Sequence, residues 1–250
     1  MLKISLDKLD RMFAAIAENH ALYLPVDTKA GAAYQKWDET KKLSDALNTV
    51  RSAKDFFFPQ TENLMDFKVE GKNIDIIDTR SECEDFVVFG VRACDVKSFE
   101  VLDRVFLAEP CDSYYKNRRE HGVIMSLACT KPAETCFCGT FGIDAKEPEG
   151  DVVCWKTDDA LYMNAVSEKG KALVESLSSL TEETDGSAVE EQKKQTAERL
   201  AKLPLAELSA DAFGDGKTSE FFNAPEWSEL SESCLGCGTC TFVCPTCQCY

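Results

Sequence analysis

One stretch sets the terms for the fold. Phe86 to Val91 (FVVFGV) is a continuous apolar run, the pattern of a strand covered on both faces. Val96, Phe99, Leu102 and Phe106 follow at helical spacing, and Gly122 to Cys129 (GVIMSLAC) returns as a second strand. Parallel neighbours need a crossover of about this length, so strand, helix and strand form a βαβ unit. The chain is therefore expected to be α/β, of a mixed α+β kind, with a partly parallel sheet.

Weaker signals surround this unit. Ser5 is placed to cap a short amphipathic helix with Leu6, Leu9, Phe13 and Ile16 on one face and Asp7 in its first turn. Leu22 to Val26 reads as a brief extended stretch ended by Pro25. Arg51 to Phe67 suggests an extended segment turning into a helix near Glu62, with the Phe56 to Phe58 aromatics as core. Asn73 to Asp78, Val152 to Trp155 and Leu161 to Val166 read as strands, and Lys169 to Leu180 as a helix. From Ser178 the composition turns polar and acidic, as in a surface linker entering a helix that ends near Leu203 and Pro204. The expected division is an α/β domain over 1–180, a linker and helix over 181–219, and a cysteine-rich segment over 220–250.

That last segment carries the strongest chemistry. The chain has 13 cysteines in 250 residues, and six of them fall after residue 233. Cys234, Cys237, Cys240 and Cys244 form C-x2-C-x2-C-x3-C, closed by Pro245. This is the run with which bacterial ferredoxins hold [4Fe–4S] clusters, since two-residue spacers let a tight loop wrap a cubane. Gly236 and Gly238 permit the positive φ and close backbone approach that aim amide N–H groups at the sulfurs. A structural zinc site instead takes two C-x2-C pairs separated by a longer loop. In two-cluster ferredoxins the cysteine before proline ligates the other cluster. A second such run is absent from these 250 residues, so three possibilities stand: the sequence begins a longer two-cluster domain, Cys244, Cys247 or Cys249 completes a single site, or a partner supplies ligands. The first is the expectation.

A second constellation lies in the α/β domain. Cys94 falls just after the first strand, at the junction where an open sheet presents ligands, and Cys129 ends the next strand. Parallel pairing would bring both to one sheet edge. Cys136 and Cys138 follow in a loop, and an extended C-x-C would set its two side chains on one face about 6.6 Å apart, from roughly 3.3 Å per residue. These four are candidate ligands of a further [4Fe–4S] cluster, against the plainer reading of Cys94 and Cys129 as buried small apolar residues. Cys83, Cys111 and Cys154 are isolated and read as packing residues. His20 and His121 are too few and too scattered for a histidine-based site. The adjacent Arg118 and Arg119 read as a solvated pair before a phosphate site. Neither a Walker A sequence nor G-x-G-x-x-G occurs.

Charge and length narrow the partners. Lys and Arg number 28 against 44 Asp and Glu, a net charge of −16. Nucleic acid and anionic membranes are disfavoured, because each phosphate contact needs a cation. The Met12 to Ala17 run is too short for an export signal, and the apolar stretches fall short of the ~18 residues of a membrane helix. A cytoplasmic, reducing compartment is expected, where clustered cysteines bind metal or carry redox chemistry.

The stretches AKDFFFPQTENLMDF, FGVRACDVKSFEVLDRVF, CDSYYKNRRE, ACTKPAETCFCGTFGIDA and CLGCGTCTFVCPTCQCY together resemble the 4Fe–4S dicluster subunits of cytosolic reductases. This family contains the anaerobic sulfite reductase A subunit and the sulfhydrogenase β subunit. The likeness runs over most of residues 50–165 and 220–250. It implies an electron-transfer subunit of an anaerobic hetero-oligomeric oxidoreductase, relaying electrons between a flavin-bearing NAD(P)H-type reductase subunit and a hydrogenase, reductase or further iron–sulfur subunit. It further implies that Cys234, Cys237, Cys240 and Cys244 are cluster ligands, and that Cys94 with the Cys129 to Cys138 region is the family's own cysteine block. Ala93 departs from the proline expected before Cys94, and the family's second run is absent. Two other readings stand beside this one. A catalytic subunit would bind flavin or substrate at the sheet edge through Arg92, Arg118 and Arg119, and a zinc-stabilised module would serve interaction alone.

Overall fold

The structure, a computed structural model, describes residues 1–211 and 214–248. In chain order its elements are β1 (Leu2–Ser5), α1 (Leu9–Ala17), β2 (Ala21–Thr28), β3 (Gly31–Lys36) and α2 (Lys54–Phe57). Next come β4 (Asp66–Glu70), β5 (Asn73–Ile77), β6 (Phe86–Val91), α3 (Ala93–Phe106), α4 (Ser113–His121) and β7 (Gly122–Leu127). The chain continues through β8 (Val152–Lys156), β9 (Ala160–Ala165), α5 (Glu168–Ser176), β10 (Glu182–Glu183) and α6 (Ser187–Leu200). Two short helices, α7 (Glu226–Ser231) and α8 (Thr239–Val243), lie in the cysteine-rich segment.

Eight strands make one sheet in the order β10-β1-β9-β8-β7-β6-β2-β3. Its centre, β2, β6, β7 and β8, is parallel, and antiparallel strands finish both edges. The expected βαβ unit is present, with α3 and α4 both in the crossover. All six residues of β6 and all six of β7 are buried, because helices cover both faces. Side chains alternate between the faces: Val87, Phe89, Val123 and Met125 meet α1 and α5 through Met12, Phe13, Ile16 and Leu173. Phe86, Val88 and Ile124 meet α2, α3 and α4 through Phe57, Phe99, Leu102 and Tyr115. Each such fully buried side chain contributes about 1.5–3 kcal/mol.

Several local expectations change. Pro25 lies inside β2 rather than ending it. The parallel partner β6 pairs with β2 only through Tyr23, so beyond that point the missing proline N–H costs no bond on that side. The pyrrolidine ring covers Gly90, where φ is +86° and the β6–β7 register slips. Residues 2–5 form a strand before the first helix, and the Ser5 hydroxyl turns to Asp7 instead of capping. The helix expected near Glu62 is instead the single turn α2, anchored by the buried Ala53 at its start and Phe57 at its end. Asn73 to Ile77 is a strand, but it pairs with β4 in a separate hairpin. Within 181–219, β10 extends the sheet on β1, and Val189 of α6 is buried with Trp155 and Tyr162.

Candidate functional site

The parallel strands deliver one group of cysteines to their carboxyl edge. Cys94 sits in the first turn of α3 directly after β6, and Cys129 follows β7, with its N–H bonded to Ala145 O at 2.8 Å. The loop then brings back Cys136, whose N–H bonds Ala133 O at 3.0 Å, and Cys138, which opens a 3₁₀ turn through Phe141. The tripeptide is not plainly extended, because Phe137 adopts φ −141° and ψ 34°.

Cys94 feels Cys129 and Cys138, and both of these feel Cys136. Burial pushes the Cys94 thiol up to about 12, aided by Asp95, Cys138 and Cys129, although its side chain opens to solvent. Burial likewise takes Cys129 to about 11; Arg92 opposes this, while Cys138 and Cys136 add to it. Cys138 is raised by burial and by Cys136. Mutual repulsion on this pattern marks thiols gathered from three chain segments. Among the described residues, no three His, Cys, Asp or Glu converge on a single ion. Thiolates around one tetrahedral ion stand about 3.8 Å apart, from metal–sulfur bonds of about 2.3 Å. A cubane spreads its ligands over separate irons and takes thiolates, so an all-cysteine donor set suits a cluster.

The tail cysteines occupy a different environment. Cys234, Cys237 and Cys240 are exposed, and Cys244 and Cys247 are partly covered. Gly236 and Gly238 adopt φ of +65° and +74°, the left-handed turns expected from the sequence. The Gly236 N–H points at Cys234 Sγ at 3.4 Å. Hydroxyls stand by other sulfurs: Thr239 at 3.2 Å from Cys237, and Thr246 at 3.3 Å from Cys244. Thr239 holds the Cys237 thiol below its ordinary value. At Cys244 burial acts upward, but Thr246, the Cys247 N–H and Lys54 outweigh it and leave that thiol lowered too. Donors aimed at sulfur favour the thiolate, the form that binds iron, so this loop also fits a cluster. Cys249 lies outside the described residues.

The remaining candidates lie elsewhere in the fold. Cys154 is fully buried, whereas Cys83 and Cys111 are only partly so. Phe57 and Phe58 are core, as expected. Arg118 and Arg119 are not a solvated pair. Arg118 bonds Glu62 at 3.1 and 2.7 Å, and Arg119 bonds Asp103 twice at 2.9 Å. Arg92 spends its donors on the carbonyls of Ala46, Leu47, Leu127 and Ala128, tying two loops together beside Cys129. A recess of about 600 Å³ opens at the same edge, lined by Arg92, Lys131, Lys156, Gln192 and Arg199 among others. There Lys156 pairs with Asp45, and Arg199 bonds Thr130 O. Nothing in the local sequence marks these pairings, since every partner is distant along the chain.

Among the described residues no helix is long and apolar enough to cross a membrane. No family model matches the chain. Over 99% of its length it is 30% identical to sulfhydrogenase 2 subunit beta of Pyrococcus furiosus, covering 72% of that protein. A chain matched at this level almost end to end belongs to the sulfhydrogenase β-subunit family.

Proposed function

We propose that this protein is the iron–sulfur electron-transfer subunit of a cytoplasmic, anaerobic oxidoreductase complex of the hydrogenase or sulfur-reductase type. In this reading it stands between a flavin-bearing NAD(P)H-type reductase subunit and a catalytic or further iron–sulfur subunit. Cys94, Cys129, Cys136 and Cys138 hold one [4Fe–4S] cluster on the α/β domain of residues 1–180. Cys234, Cys237, Cys240 and Cys244 serve another in a ferredoxin-like segment over 220–250, joined through 181–219. The observation that supports the reading is the delivery of Cys94 and Cys129 to the carboxyl edge of two parallel strands, with Cys136 and Cys138 in the loop that follows, in a chain whose tail has its own cysteine run.

Bound clusters of this kind supply one-electron transfer. The chain's own residues position and tune. Arg92 fixes the Leu127 and Ala128 carbonyls next to Cys129 and places a positive charge there. Thr239, Thr246 and the Gly236 N–H direct donors at tail sulfurs. An exposed apolar face on the β4–β5 hairpin and a net charge of −16 suit a subunit that docks on other subunits.

The test is metal analysis of the full chain purified without oxygen. Two sites of about four irons each predict about eight, with equal sulfide. Cys136→Ala and Cys237→Ala should each remove about half the iron and one signal from the electron paramagnetic resonance spectrum of the reduced protein, and their losses should add. Zinc in place of iron, or iron unchanged in both variants, would end the proposal. Stoichiometric flavin would instead support a catalytic subunit using the recess at the sheet edge.

A further inference from the structure

The cysteine-rich tail is held to the α/β domain by a buried cation on a distant helix. Lys54, in α2, is only 7% exposed, and its ammonium donates to Cys244 O at 2.9 Å and Cys247 O at 3.2 Å. One turn earlier, the Arg51 guanidinium lies over the Phe242 ring, 4.7 Å from its centroid. The base of this attachment is rigid: Ala53 and Phe57 on the same turn are fully buried in the core. From Glu226 to Phe242 every residue is exposed, and cover begins at Val243, where the lysine reaches the chain. The turn between the two carbonyls closes on itself through Cys247 N–H to Cys244 O at 3.3 Å.

We infer that Lys54 is a positioning residue that clasps the Cys244–Cys247 turn to α2 and sets a fixed positive charge beside the tail cluster. The inference rests on the cluster reading of the tail, but the clasp itself is a property of the polypeptide. An ammonium has three donors, two of which are spent on the carbonyls. Its charge favours any added electron nearby, because each reduction step makes a thiolate-bound cluster more negative. Position and charge are separable: glutamine keeps an amide donor without the charge, methionine keeps neither, and arginine keeps both.

Hydrogen exchange of the full chain tests position without any iron. Lys54→Met should raise amide exchange over 243–248 by about tenfold or more, while protection in β6 and α3 stays as in the unaltered protein. If that variant fails to fold, Lys54→Gln with a smaller rise in the same window serves. Redox titration of the iron-loaded chain, followed by paramagnetic resonance, tests charge. Lys54→Gln should lower the midpoint of one signal by the equivalent of about tenfold, ~59 mV for a one-electron couple, with iron content unchanged. Lys54→Arg should restore both readouts. Unchanged exchange over 243–248 in the Met and Gln variants would overturn the clasp, and an unmoved midpoint in Lys54→Gln would overturn the role of charge. A tail without iron would defeat the cluster reading and leave the exchange result to decide the clasp.

Discussion

Asp103 on α3 joins the two crossover helices, and its replacement by asparagine should be costly. Its carboxylate takes Arg119 Nε and Nη2 at 2.9 Å each and the Tyr115 hydroxyl at 2.7 Å, both partners coming from α4. The guanidinium also lies over Phe57 and Phe99, 5.1 and 5.5 Å from their centroids. Breaking a fully buried ion pair costs about 3–5 kcal/mol, and an exposed pair is worth about 0–1. Here the two side chains keep 22% and 26% of their exposure, nearer the buried limit. Asp103→Asn preserves shape and removes only charge, so roughly 2–3 kcal/mol is expected, or about 4–12 °C in Tm for a chain of this size.

A double-mutant cycle with Arg119→Met, read by urea unfolding, isolates the pair from the cost of each single change. A coupling energy of about 2 kcal/mol is expected. The helix should keep its place at low temperature, so iron bound near Cys94 should survive in the folded Asp103→Asn protein. A coupling below about 0.5 kcal/mol would refute the reasoning, because it is the value of a solvated pair.

Gly170→Ala should be severe: a Cβ there would lie 2.0 Å from Asp151 O and 2.7 Å from Asp151 C, backbone that cannot swing aside. A loss of about 3 kcal/mol or more is expected by thermal unfolding, and an unchanged Tm would refute it. On the β4–β5 hairpin, Phe67 faces Ile76 and Val69 faces Ile74, which puts four apolar side chains on one face, each more than half exposed. Ile76→Asp should therefore leave the isolated chain within about 0.5 kcal/mol of its original stability and reduce its co-purification with the other subunits; a large loss of stability would show that the face is already covered. In the proposed arrangement the exposed tail cysteines, with hydroxyl and N–H donors, should carry the higher potential, and the α/β group, of which Cys129 is buried, the lower. Titration of Cys136→Ala and Cys237→Ala assigns the two waves, and the reverse order would refute this.

The central fold was legible because its signals are local. Continuous apolar runs with a 3.6-residue pattern between them specify two covered parallel strands and their crossover. The edges were not legible for the opposite reason. Leu2 to Ser5 is a strand only because β9 and β10 flank it, and those residues lie more than 150 positions away. The hairpin strand at Asn73 was recognisable as a strand, but its apolar face carries no mark of whether a sheet covers it. Gly186, at φ +78°, and the polar run after it look like a linker until Val189 finds Trp155.

The two cysteine groups differ in the same way. The tail run points to the proposed cluster by spacing alone, and glycine at 236 and 238 states the turns that spacing needs. The α/β group required topology: Cys94 and Cys129 come together only if β6 and β7 are parallel, which the length of the crossover implied. What holds each group was invisible. Arg92 reads as a possible anion contact and spends itself on four carbonyls. Lys54 sits in an aromatic stretch that points to core, 190 residues from the carbonyl it binds. Carbonyl oxygens are common to every residue, so a side chain that recognises them leaves no complementary partner in the sequence. Supports of this kind can be found only once the backbone is in place, and they are where the scaffold meets the chemistry.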